Sequence, residues 1–225
     1  MPRGESIVSP PSHCPNCDTR IRARDNIPIL SWLLLRGRCR TCGEPISARY
    51  PLVEAGTGLL FAAIVLARGL DWDLLWQLPF AAMLVAVAAI DLDHHIVPNR
   101  ILIPAAAWGV ISAALVRLSD LPELLAWGAG AFAFLLIAAL IHPAGMGMGD
   151  VKLAGVMGLY LGSSVVPALL AAFLTGSAYG IGVMARHGAA ARKRGVPFAP
   201  FLALGGVIGL MLGPELVDWY RNAFL

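Results

Sequence analysis

The sequence predicts an all-helical membrane bundle of about seven spans, preceded by a small polar N-terminal domain. Three observations predict it. The chain of 225 residues is 58% hydrophobic and only 14% charged, with a mean hydropathy of +0.72. A water-soluble domain of this length cannot hide that much apolar surface, so the solvent is lipid. The apolar runs are roughly as long as a spanning helix and lack the period-two alternation of a barrel strand. The first 51 residues are different: polar, arginine-rich and home to all four cysteines.

Taken in order, residues 1–51 form the one sizeable polar segment. The start, Met-Pro-Arg-Gly-Glu-Ser, has no apolar core and does not read as a cleavable signal peptide. Within the segment, the apolar patch 27–35 is too short to cross a bilayer, which takes about 20 apolar residues. It is expected to pack in a small domain or to lie on the membrane surface. Seven apolar segments follow, near 52–68, 74–91, 100–117, 123–142, 151–163, 164–185 and 200–216, giving a membrane domain over 52–225. The fifth is short and glycine-rich, and can tilt, stop partway or fuse with the sixth. Pro79, Pro104 and Pro167 fall inside predicted spans, where each removes a backbone donor that neighbouring helices must offset.

Basic residues orient the bundle. With residues 1–51 on the cytoplasmic side, fourteen of the 17 basic residues fall there, including Arg100, Lys152, Arg186 and the Arg192, Lys193, Arg194 cluster. Arg68, Arg117 and Arg221 fall on the other side. The same topology puts Asp91, at the end of the second segment, and Asp150, at the start of the fifth, on the cytoplasmic face at similar depth. A carboxylate beside hydrocarbon is costly, so each is a candidate functional residue. Two such acids that meet can share one proton and hydrolyse a peptide bond. The bland alternative is that both are ordinary helix caps. A proton-coupled transporter is the rival from another class, but it calls for polar groups in mid-span.

Around these acids, Asp93 is two residues from Asp91 and would point elsewhere on a continuing helix. Gly147 and Gly149 flank Asp150 and would let an extended peptide approach it, so both are candidate substrate-binding positions. His94, His95 and Lys152 read more simply as interfacial residues. Glu54, at the start of the first span, is interfacial or part of the site.

Cys14, Cys17, Cys39 and Cys42 make two Cys-x-x-Cys pairs with 21 residues between them. That spacing matches a four-cysteine zinc site, which can hold together a domain too small for its own core. Four sulfurs leave no open position for water, so the site is structural. Nothing in the chain points to nucleic acid.

Together these residues resemble the type IV prepilin peptidase family. The resemblance rests on Pro2-Arg-Gly-Glu-Ser through Cys14-Pro-x-Cys17, on Asn26-Ile-Pro-Ile-Leu-Ser-Trp-Leu, on Arg36-Gly-Arg-Cys39 and on Ile46-Ser-Ala-Arg-Tyr-Pro-Leu-Val-Glu54. The Asp91 motif and Gly147-x-Gly-Asp150-x-Lys152 complete it. It implies a bacterial inner-membrane aspartic protease with a cytoplasmic active site. Such an enzyme removes the leader of type IV prepilins or pseudopilins, then methylates the new N-terminus with S-adenosylmethionine. By motif position, Asp91 and Asp150 match the catalytic pair and the four cysteines match the zinc site. Family members usually carry a further hydrophobic helix before the Pro-Arg-Gly-Glu region, so a catalytically impaired, truncated relative is the alternative.

Overall fold

The computed structural model describes residues 12–142, 146–187 and 197–224. The Arg192–Arg194 cluster and the Pro2–Pro11 part of the N-terminal motif lie outside them. Among the described residues the chain is helical, with two isolated β-bridges and no strand. It divides into two compact units, Met1–Ala63 and Ile64–Leu225.

The first unit is built on two similar knuckles. His13 bridges to Arg20 and Arg38 to Pro45. In the first, the Cys14 N–H donates to Thr19 O at 3.0 Å and the Asp18 N–H to Cys14 O at 2.9 Å. In the second, the Cys39 N–H donates to Glu44 O at 2.8 Å and the Gly43 N–H to Cys39 O at 3.0 Å. The residue after each second cysteine, Asp18 or Gly43, takes the left-handed backbone that closes so tight a turn. Asp25 and Arg40 fasten the segment between them through two hydrogen bonds, at 2.6 and 2.9 Å. This pairing holds the Asp25 carboxyl below its usual range.

The apolar patch becomes a five-residue helix, α1 (Leu30–Leu34), with Leu33 and Leu34 exposed. Ile29 precedes it with φ +61°, a conformation that a β-branched residue adopts only under constraint. The constraint is visible: Glu54 accepts a hydrogen bond from the Ile29 N–H at 2.8 Å. Glu54 sits in the second turn of α2 (Arg49–Arg68), which begins three residues before the predicted span.

Among its described residues the second unit holds six further α-helices. They are α3 (Leu74–His94), α4 (Asn99–Val116), α5 (Leu121–Ile141), α6 (Met148–Leu161), α7 (Val165–His187) and α8 (Ala199–Phe224). With α2 they match the seven predicted segments one for one. Among the described residues six stretches are long and apolar enough to cross a membrane, Met148–Arg186 counting as one. Inside that stretch the fifth and sixth segments remain two helices. The chain turns at Gly162, which has φ +56°, through a short 3-10 turn to Ser164. The two helices then flank α8 at one level: Gly206 of α8 meets Met157 of α6, and neighbouring Gly205 meets Ala168 and Ala172 of α7. At 14 residues, α6 is roughly 21 Å long and crosses only part of a hydrocarbon layer of about 30 Å.

Helices α5 and α6 pack backbone to backbone, Gly128 against Gly155 and Leu159, Gly158 against Trp127. Such close approach is how helices associate where no hydrophobic effect drives them together. The outward faces stay apolar, with Leu115, Leu140 and Ile141 largely exposed, as lipid requires. Helix α8 runs eight residues past the predicted end at 216. Hydropathy falls there, but each further helical residue still gains a backbone hydrogen bond, and Trp219 and Tyr220 suit the interface.

Candidate active site

Asp91 lies in the last turn of α3, four residues before the C-cap. There His95 adopts the left-handed conformation with φ +52°, its N–H donating to Asp91 O at 2.9 Å. Pro98 then restarts the chain as the N-cap of α4. The Asp91 side chain is buried, 5% exposed, while Asp93, His94 and His95 are exposed. One Asp91 oxygen, Oδ2, accepts the Ala199 N–H at 3.1 Å. Ala199 is the first residue of α8, whose opening N–H groups have no partners within their own helix. Asp91 therefore caps a helix other than its own, 108 residues away in sequence.

Asp150 is the third residue of α6 and is half-buried. Its N–H donates to Gly147 O at 3.1 Å. Gly147, in extended backbone with φ −77°, is the N-cap. Asp150 is therefore not the N-cap residue of α6, a position that Gly147 holds. Two contacts seat the start of α6. A Cβ built on Gly149 would stand 2.7 Å from the Val97 Cβ, so only glycine lets α6 approach the connection after Asp91 this closely. Lys152 Nζ donates to Asn99 Oδ1 at 3.1 Å, tying α6 to the first turn of α4. Lys152 thus bonds Asn99 rather than pairing with Asp150.

These contacts bring Asp91 and Asp150 within electrostatic reach of each other. Each also meets the positive end of a helix, Asp91 that of α8 and Asp150 that of α6, where an anion is favoured. Gly147 is exposed beside Asp150: a Cβ there would lie 3.5 Å from Asp150 Oδ2. The open backbone at 147 and the crowded backbone at 149 differ in what they meet.

Sequence reasoning missed Ala199, Val97 and the Asn99–Lys152 bond. Pro200 at the second helical position marks the start of α8, but nothing local says which side chain that helix end would meet.

In the first unit, the sulfurs of Cys14, Cys17, Cys39 and Cys42 all lie within 4.8 Å of one another, and none is in a disulfide. The Cys14 to Cys42 sulfur separation is 3.8 Å. A tetrahedral ion with bonds of about 2.3 Å to sulfur spaces its ligands by about 3.8 Å, so the donor set fits such an ion. The backbone N–H groups of Cys42 and Thr41 point at the Cys39 sulfur and hold its thiol down to about 6. The group can hold a metal ion as thiolates.

Comparison with known proteins agrees with this layout. Residues 1–68 match the bacterial peptidase A24 N-terminal domain, and residues 78–181 match the type IV leader peptidase family. A prepilin leader peptidase/N-methyltransferase of Aeromonas hydrophila is 38% identical over 98% of this chain and 78% of its own length. Its namesake in Bacillus subtilis is 35% identical over 98% of this chain and 89% of its own length. One from Xanthomonas campestris is 34% identical over 97% and 78%. No solved structure matches. Two domain matches that between them take in both acids and all four cysteines, with relatives alike along nearly the whole chain, place this protein in the type IV leader peptidase family.

Proposed function

We propose that this protein is a membrane aspartic endopeptidase that removes the leader of type IV prepilins or pseudopilins at the cytoplasmic face of the bacterial inner membrane. Asp91 and Asp150 form its catalytic pair. The observation that carries the reading is that two acids 59 residues apart in sequence come within electrostatic reach, one buried and held by α8, one beside open backbone at Gly147.

Two neighbouring carboxyls do not both ionise cheaply, so the pair holds one proton. The ionised member takes a proton from water as the water oxygen bonds to the scissile carbonyl carbon. The protonated member gives its proton to the carbonyl oxygen. Collapse of the tetrahedral adduct breaks the C–N bond: one adduct hydroxyl returns its proton to the ionised acid and the leaving nitrogen takes the proton of the other, so the pair again holds one proton. The two acids titrate as a unit, so neither is permanently base or acid. Gly147 keeps the backbone beside Asp150 free of a side chain, and the extended leader lies against it, while Gly149 serves by admitting Val97.

Residues 1–51 form a domain stapled by zinc on Cys14, Cys17, Cys39 and Cys42. The membrane domain 52–225 receives the apolar helix of the substrate. S-adenosylmethionine supplies the methyl group for the new N-terminus. The basic-residue asymmetry supports the cytoplasmic placement.

Asp91→Asn and Asp150→Asn should each abolish leader removal from a purified prepilin while zinc content stays at one per chain. Near-normal processing by either variant would reject the pair. Methyl incorporation scored on a pre-cleaved substrate separates the second activity from the first.

A further inference from the structure

At the other end of the bundle lies a polar cavity that the peptidase reaction does not use. It has a volume of about 160 Å³, and its lining includes Arg68, Asp71, Asp73, Gln77 and Arg117. Asp73 immediately precedes α3, and Asp91 stands 17 residues beyond Leu74, about 26 Å along the helix at 1.5 Å per residue. That distance is close to the thickness of a bilayer core, about 30 Å. The cavity is therefore at headgroup level in the opposite leaflet. Trp72, exposed beside it, and Trp108 mark the same interface.

The charges in the cavity divide in a particular way. Arg117 forms a two-pronged ion pair with Asp73 and lies over the Trp76 ring at 4.4 Å, so those two charges satisfy each other. Arg68 and Asp71 remain. Arg68 Nη2 donates to Leu210 O at 2.6 Å, and Arg68 Nε is buried without a partner. Asp71 uses one oxygen on the neighbouring Trp72 N–H and is otherwise exposed. Gln77 is 6% exposed, and its Oε1 has no donor. A buried donor and a buried acceptor left open in one cavity call for a ligand that supplies both complements. An anion alone would satisfy Arg68 and meet Asp71 and Gln77 Oε1 unfavourably. A cation alone would do the reverse.

We propose that this cavity binds the headgroup of a zwitterionic phospholipid bearing a primary ammonium. Its phosphate oxygen accepts from Arg68 Nε, and its ammonium donates to Gln77 Oε1 and Asp71. A quaternary ammonium carries no N–H and leaves Gln77 unsatisfied.

The purified full chain, delipidated in detergent, would be titrated with phosphatidylethanolamine, phosphatidylcholine or phosphatidylglycerol, and retained lipid read by native mass spectrometry. Wild type should retain one phosphatidylethanolamine at least about tenfold more tightly than either other lipid, the scale of one charge-assisted hydrogen bond. Asp71→Asn and Gln77→Leu should each remove most of that preference while zinc content and leader cleavage persist. The headgroup comparison on wild type stands even if a variant fails to fold. Equal retention of phosphatidylethanolamine and phosphatidylcholine by wild type would leave a water-filled cavity and overturn the proposal. So would free phosphoethanolamine displacing the lipid at equal concentration, which would make the ligand a soluble one.

Discussion

Gly149 shows how little room the site leaves at the level of single residues. The methyl group of alanine there would overlap Val97, whose backbone follows Asp91 by six positions. Gly149→Ala should therefore push α6 away from the connection after α3, at about 1–3 kcal/mol of stability. The rate of leader cleavage and the thermal midpoint in detergent should both fall. Val97→Gly in the same chain removes the contacted Cβ and should recover part of both. If Gly149→Ala cleaves at the wild-type rate, the approach is not needed for catalysis. Lys152 is a milder case. Its bond to Asn99 is exposed, so Lys152→Met should change stability by under about 1 kcal/mol.

At the scale of elements, two internal prolines show how this bundle tolerates them. Pro79 has no N–H to give the Leu75 carbonyl, and the Trp108 indole N–H of α4 takes that oxygen at 2.7 Å. Pro214 likewise leaves the Leu210 carbonyl open, and Arg68 takes it. Each bond links two helices at a point where one of them lacks its own. Trp108→Phe should lower the unfolding midpoint in detergent, by an amount equivalent to about 1 kcal/mol for one lost hydrogen bond. In a Pro79→Ala background the new N–H serves Leu75, and the hydrogen-bond part of that loss should vanish. Equal losses in the two backgrounds would show that Trp108 acts by packing alone.

For the whole molecule, the division at Ala63 predicts that metal loss acts locally. Among its described residues the first unit buries no large apolar side chain, so the four thiolates and their ion must hold its two knuckles in place. Cys39→Ser or a strong chelator should remove the metal and disorder the knuckles. Most of the far-ultraviolet helical signal should stay, because the helices of the second unit pack on one another. Metal analysis and circular dichroism on the same samples would check this. A loss of helix across the chain would mean that the units do not stand apart.

The sequence by itself determined the solvent, the helical class and the approximate limits of seven helices. Each of these depends on hydropathy and length within one segment, since a helix in lipid satisfies its own backbone. It also determined that four sulfurs can gather, because two Cys-x-x-Cys turns set each pair locally. What only the tertiary structure decided is which groups meet across segments. Asp91 reaches the first N–H of α8, Gly149 fits against Val97, Glu54 constrains Ile29, and Trp108 and Arg68 serve carbonyls freed by prolines on other helices. Such contacts depend on how helices rotate and cross, which small residues and backbone shape set jointly. No single stretch of chain encodes that, so the acids were legible as candidates while the frame that holds them was not.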